Sequence, residues 1–312
     1  MKRLPFFLPM QACPRRCIYC DQQAITGEHN GLSPRDVQTA VEQFPEAVEI
    51  CFFGGSFTCL PPSLRKSFLK AATKAPQGSG LRISTHPLCI TPEVLEELLS
   101  FGVGVVELGI TSLDDKVLQT CHRGYDGRTA LERLEMIMTE NITPGAQLMT
   151  GLPGQTLDSS LRDLEILASL KGQAEMQLRL YPCLVFPNTP LANLFYSGRF
   201  NPLSTEECAR QTGVLLDRAR QLGFEILRIG LHETASLRET VLAGPAHPAL
   251  GELARAEALA ISLARNTPYG PWTVHRRQRS LLSGHGEYGL RALSRITGVP
   301  IENIKENILW MI

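Results

Sequence analysis

Seven short apolar runs, each separated from the next by an amphipathic stretch, constrain this chain more than any other feature. They lie at residues 4–10, 47–53, 81–85, 103–110, 143–150, 176–184 and 225–229. Apolar runs of this length read as strands buried on both faces, as in parallel sheet. The intervening stretches carry helix start signals. Ser33-Pro34 and Thr91-Pro92 each place a capping oxygen before a proline at the first helical position. Ser204 followed by Glu207 is a capping box. Repeated strand-then-helix units imply an α/β fold, either a barrel or a doubly wound sheet. Six such units before residue 223 fit a partial (β/α)6 TIM-like barrel that stops short of eight. After about residue 230 the strand rhythm fades. Residues 243–248 read as a loop, 250–266 as a helix, 269–272 as a turn and 279–312 as a small helical tail. The expected organisation is a partial barrel over 1–230 and a mainly helical extension over 231–312. The apolar end of that tail, 308–312, calls for burial and is expected to pack.

With 312 residues, 43% of them apolar, the chain can bury a large core. Its formal net charge is zero, which removes any global electrostatic case for nucleic acid or membrane binding. Residues 265–312 hold seven Arg or Lys against three Glu, so the tail carries +4 and the remainder −4. No apolar run approaches the roughly 18 residues that cross a bilayer. Lys2 and Arg3 ahead of Phe6, Phe7 and Leu8 imitate a signal peptide, but Pro5 and Pro9 break the stretch. A first strand of a soluble, cytoplasmic protein is the expectation.

Nine cysteines exceed what packing needs, and their placement is uneven. An odd count in a reducing cytosol argues against a disulfide framework. Cys51, Cys59, Cys89, Cys121, Cys183 and Cys208 are scattered and read mainly as small apolar packing. Cys13, Cys17 and Cys20 instead put three thiols within eight residues. Iron–sulfur clusters are normally held by four thiolates. Three leave one iron open, and an open position is what a metal needs to bind a substrate. S-adenosylmethionine (SAM) can chelate such an iron through its amino and carboxylate groups. A structural zinc site completed by His29 is the alternative, though zinc sites more often pair two short C-x-x-C arms.

The C-x-x-x-C-x-x-C loop after a first strand resembles the radical SAM superfamily. FGGSFT (53–58), LRISTHP (81–87) and LYPCLVFPNT (180–189) resemble relatives of the elongator complex's catalytic subunit. ELGITSLDDKVLQTCHRG (107–124) and MTGLPGQT (149–156) resemble both that branch and oxygen-independent coproporphyrinogen oxidase. The resemblance implies a [4Fe-4S] cluster on Cys13, Cys17 and Cys20, with SAM on the fourth iron. It also implies an external one-electron reductant. Gly54 and Gly55 would then bind the SAM amino group, with Ser56 and Thr58 offering further oxygens. Tyr19 would pack near the adenine, and Ser84 and Thr85 would reach SAM from the third strand. Arg123 matches an arginine that pairs with the SAM carboxylate or ribose. Gln147 stands where relatives place a ribose-binding group, and Gly151 and Pro153 shape the loop beneath the adenine.

Two departures bear on the substrate. Thr111 stands where relatives often carry Gln, which shortens that contact. His86-Pro87-Leu88 stands where the elongator-like branch has Arg-Pro-Asp. Nothing after residue 230 is long enough for an acetyltransferase domain. Tyr181 and Cys183, at the end of the sixth strand, are candidate hydrogen donors or substrate contacts. Arg276, Arg277 and Arg279 near Trp272 and His275 could grip phosphates while an aromatic stacks on a base, although a solvated helix face is the commoner meaning. Leu231, His232, Glu233 and His247 are candidates to border the barrel mouth. The expected function is a radical SAM enzyme acting on RNA or a nucleoside. A tetrapyrrole-like small molecule, or a cluster- or haem-binding protein without turnover, are the alternatives.

Overall fold

The computed structural model describes residues 1–8, 12–28, 31–231 and 234–311. Seven parallel strands form one sheet in chain order: β1 Lys2–Phe7, β2 Val48–Phe53, β3 Gly80–Thr85, β4 Val103–Thr111, β5 Thr143–Thr150, β6 Gln177–Pro182 and β7 Glu225–Ile229. The helices Pro34–Glu42, Pro62–Ala72, Pro92–Ser100, Gly127–Met138, Leu157–Lys171 and Thr205–Gln221 carry the chain from each strand to the next. β1 and β7 do not pair, so the sheet is open. It is curled nevertheless, because Arg3 of β1 and Arg228 of β7 line one cavity. This is the partial barrel expected. The caps at Ser33, Thr91 and Ser204 each accept a backbone N–H of the first turn, as read from the sequence.

One expectation about the strands is corrected. They are not apolar on both faces. Ile50, Phe52, Ile83, Val106, Leu108, Ala146, Leu148, Leu178 and Leu180 face the helices and form the main core. The residues between them face the lumen and include Glu49, Arg82, Glu107, Gln147 and Arg179. Charged side chains survive there because they satisfy one another. Glu107, fully buried on β4, accepts from Arg82 Nη1 (2.9 Å), Arg179 Nη2 (2.8 Å) and Gln147 Nε2 (2.9 Å). To reach Arg179 on β6, Glu107 must cross β5, and the residue it crosses is Gly145. A Cβ at Gly145 would lie 2.9 Å from Glu107 Cγ. Gly145→Ala is therefore expected to cost about 1–3 kcal/mol of stability through overpacking, read as a lower urea midpoint.

Beyond β7, the helix Leu250–Asn266 packs between Thr205–Gln221 and the kinked helix Arg279–Thr297. A second core gathers Trp272, Leu282, Leu290, Leu293 and Ile304. Two expectations fail here. Residues 269–272 do turn, but Trp272 opens a strand, β8 Trp272–His275, which pairs in parallel with β9 Ile308–Met311. The apolar end of the chain is not packed: Leu309 is 53% exposed and Met311 49%. A two-stranded sheet shields one strand with the other, and of β9 only Ile308 reaches the small core. Cys59 and Cys89 are also not mere packing. They form a disulfide, because the turns after β2 and β3 bring residues 30 apart in sequence to a Cα separation of 5.2 Å. Cys51, Cys121, Cys183 and Cys208 are buried and free. Among the described residues no helix is long and apolar enough to cross a membrane.

Candidate active site

The loop carrying Cys13, Cys17 and Cys20 leaves the C-terminal end of β1 and is fastened on both sides. Ile18 N–H donates to the Cys121 carbonyl (3.3 Å), and the Ile18 carbonyl accepts from Leu191 N–H (2.9 Å). Asp21 then caps the short helix Gln22–Thr26. All three cysteines line a cavity of about 530 Å³ at the mouth and lumen of the barrel. Burial raises the Cys13 thiol pKa and pushes that of Cys20 up to about 12, with the neighbouring Cys17 adding to both. A metal that takes these sulfurs as thiolates must release their protons.

The spacing of the sulfurs discriminates between metals. A tetrahedral zinc with Zn–S bonds near 2.3 Å would draw its sulfurs to about 3.8 Å apart. Among the described residues no three thiol, imidazole or carboxylate groups converge that closely. A multi-iron cluster is a wider body and suits a wider triplet. His29, the fourth ligand of the zinc alternative, lies outside the described residues.

Around the triplet the backbone opens toward the cavity. Gly54 (φ 72°) and Gly55 (φ 132°) follow β2 in conformations that disfavour any side chain. Ser56 Oγ lies 3.8 Å from Cys13 Sγ. Arg123, 7% exposed, donates to Cys17 Sγ (3.0 Å), to Tyr125 Oη (3.0 Å) and to the Gly109 carbonyl. Tyr19 Oη meets Thr111 Oγ1 at 3.2 Å. Thr111 itself has φ 73°, an uncommon conformation for a β-branched residue, where β4 slips register against β5. Ser84, Thr85, Gln147 and Tyr181 complete the predicted residues that line the cavity. Gln147 is committed to Glu107 rather than open to a ribose.

Four predicted residues lie off the cavity lining. Thr58 is buried and pairs with Thr85 (2.6 Å between hydroxyl oxygens). Gly151 sits against Leu203, and Pro153 is buried away from the lining. Cys183 is 1% exposed among Ile18, Val117, Cys121 and Leu191, so its thiol does not face the lumen. Strand alternation explains the last case: Tyr181 points inward, and the chain leaves β6 before Cys183 can. Trp272 is fully buried, its Nε1 donating to the Thr267 carbonyl (2.7 Å), so it offers no face for a base. His247 stacks edge-on against His285, away from the cavity, while His232 and Glu233 lie outside the described residues.

Sequence reasoning missed His86, Arg179 and Arg228 as lining residues. The signal for the first was on the page, in the departure at the end of the third strand. His86 is 6% exposed, lines the cavity and stacks edge-on to Tyr125 at 5.0 Å. Its Nδ1 accepts from Leu88 N–H (3.3 Å), which assigns the proton to Nε2. Nε2 has no partner in hydrogen-bond geometry; the Arg123 carbonyl acts on the ring only electrostatically. An orphaned, buried donor on a cavity wall fits a site built for a polar ligand.

Burial, reinforced by Arg123, lowers the His86 pKa to about 3. The folded value is below the unfolded one, so the neutral ring's stability is fully present above pH 6.5 and drains away as pH falls. By pH 4.5 the loss is on the order of 2–3 kcal/mol. Urea midpoints of wild type and His86→Gln should therefore converge, or cross, between pH 7.5 and 4.5. A gap independent of pH would sink this account.

The comparisons with known proteins agree with this geometry. A family profile described as the Radical SAM superfamily matches residues 7–166, and one described as a Radical_SAM C-terminal domain matches 176–260. The tRNA uridine(34) acetyltransferase of Methanocaldococcus infernus is 25% identical over 127 residues, covering 41% of this chain and 24% of that protein. Elongator complex protein 3 of Mus musculus is 23% identical over 239 residues, covering 61% of this chain and 43% of that one. The structure of M. infernus Elp3 with an N-terminal deletion superposes with a TM-score of 0.64 at 18% identity, over 84% of this chain and 63% of that one. SuiB of Streptococcus suis bound to S-adenosylmethionine gives 0.54 at 14% identity, over 76% and 54%. At such identities the structural likeness is one of fold. The matched stretches span less than half of either curated relative.

Proposed function

Because the chain belongs to the radical SAM superfamily, we propose that Cys13, Cys17 and Cys20 ligate a [4Fe-4S] cluster with SAM at its open iron, and that the substrate is RNA or a nucleoside. The family implies those cofactors and an external one-electron reductant. When bound, they supply a 5′-deoxyadenosyl radical by reductive cleavage of SAM. The chain's own residues do the rest. Gly54 and Gly55 leave room for a ligand to approach the backbone, and Ser56 brings a hydroxyl beside Cys13. Arg123 sets a positive charge against the Cys17 sulfur, which favours the thiolate. Tyr19 and Thr111 brace each other across the cavity wall.

The observation that carries the reading is a thiol triplet on the rim of a cavity that reaches into the barrel lumen. The RNA or nucleoside part is supported by the similarity to proteins named for tRNA uridine modification. The experiment is anaerobic reconstitution followed by dithionite and SAM, with 5′-deoxyadenosine quantified alone, with total tRNA, and with free nucleosides. Release stimulated several-fold by tRNA or nucleosides supports the reading. Release that only a tetrapyrrole stimulates overturns its substrate, and SAM binding without any release overturns the catalysis.

A further inference from the structure

We propose that the floor of the lumen, at Arg179 and Arg228, is a subsite for an anionic group of the substrate, a phosphate ester or a carboxylate. The inference rests on the reading above in that the substrate enters this same cavity.

Six arginines line the cavity, and among the described residues no aspartate or glutamate does. Arg15, Arg16 and Arg123 belong to the cysteine end. SAM brings one carboxylate and a positive sulfonium, so it gives no reason for further cations deeper in. Yet Arg3, Arg179 and Arg228 stand on the strands below. At about 3.3 Å per residue, Arg179 lies about 10 Å down β6 from Pro182.

Arg179 and Arg228 are direct neighbours on adjacent strands. Like charges so placed repel, and here the backbone goes out of its way to make the pair. The register of β6 against β7 slips between Leu178 and Arg179, so Leu178 pairs with Ile226 while Arg179 pairs with Arg228. Ile226 and Ile229, three residues apart, both pack against the outer helices. Without the extra residue, alternation would turn Arg228 outward with them. Bulges that re-aim a side chain are a recurrent feature of strands beside active sites.

The pair is also held ready. Arg179 is fastened from behind by the Glu107 carboxylate and lies over the Phe53 ring at 5.1 Å. Arg228 Nε donates to the Gly230 carbonyl (3.1 Å). Burial, together with neighbouring Arg179 and Arg255, holds the Arg228 guanidinium below its usual pKa, and an anion between the two would relieve that. Tyr181, two residues along on the same face, adds a phenol to the rim. Cations fixed before the ligand arrives lose little entropy on binding it. A group that reaches this floor is the end of whatever enters, such as a nucleotide's terminal phosphate or a small acid's carboxylate.

The test is calorimetric titration of inorganic phosphate, and separately of malonate, into the anaerobically reconstituted protein at low ionic strength. Wild type is expected to bind at least one of them, and Arg228→Gln to weaken it by about tenfold or more. Arg277→Gln, on the exposed surface, should change nothing. Preference for phosphate identifies a phosphate ester and preference for malonate a carboxylate. Absence of binding, or equal affinity in Arg228→Gln and Arg277→Gln, overturns the proposal. Should Arg228→Gln not fold, Arg228→Lys decides: it keeps the charge but loses the fork, so weakening by about threefold or more is expected, and unchanged affinity overturns the subsite. Release of 5′-deoxyadenosine by wild type reports the radical reading and the isotherm reports the subsite, so either can fail alone.

Discussion

Cys17→Ala abolishes 5′-deoxyadenosine release from the reconstituted protein, by at least about a thousandfold, and removes its bound iron and visible absorbance. The size of the effect follows from what the residue does. A cofactor that carries the whole one-electron step cannot be replaced by a side chain, so losing a ligand removes the reaction instead of slowing it. Cys17 is the central thiol of the triplet, the one whose charge raises the pKa of both Cys13 and Cys20 and whose sulfur accepts from Arg123. The fold should survive, because Ile18 and Tyr19 rather than the thiol anchor the loop in its apolar cluster. The control is Cys121→Ala. That thiol is as buried as any but faces packing, so the variant should keep its iron and its activity while losing some stability. Equal iron in the Cys17→Ala and wild-type proteins would remove the triplet from the cluster.

Much of the architecture was legible because parallel α/β folds write themselves locally. Apolar runs marked the strands, and Ser33, Thr91 and Ser204 marked helix starts that the backbone then satisfied. The cysteine loop was legible for the same reason: its three ligands are local. What was not legible depends on pairs distant in sequence. Glu107, Arg82 and Arg179 read as interruptions in apolar strands until three strands placed them against one another. Arg228 reaches the lumen only through a register slip, and no periodicity signals a slip of one residue. Cys59 and Cys89 meet through two separate turns. Trp272 was misread because exposure depends on a small core assembled from four later segments. His86 was noticed as a departure, but a departure says which residue is missing, and only the structure shows the orphaned Nε2 that stands in its place.

Glu107→Ala should be the most destabilising single change in the barrel, at about 3–5 kcal/mol. The carboxylate is fully buried, and its removal strands two buried guanidiniums, Arg82 at 2% exposure and Arg179 at 7%. Breaking such a pair costs far more than the pair contributes, because the orphaned charge keeps its desolvation penalty. At roughly 2–4 °C per kcal/mol, the melting temperature should fall on the order of 10 °C. Burial alone would push the Glu107 pKa up, but the Arg179, Gln147 and Arg82 donors win and hold it below the usual carboxylate range. The sign follows: the stabilisation is present above about pH 4.5 and is lost as pH falls through the depressed value. The gap between wild type and Glu107→Gln should therefore narrow in acid. Two comparisons separate the ion network from simple packing. Glu49→Gln, whose side chain is partly exposed, should cost about 1 kcal/mol or less. Glu107→Met combined with Arg179→Met should regain much of the loss, since apolar replacement of both partners removes the buried charges together. A double variant no more stable than Glu107→Ala would mean that Glu107 supports the sheet through its shape, and that the charges across β3, β4 and β6 are incidental to it.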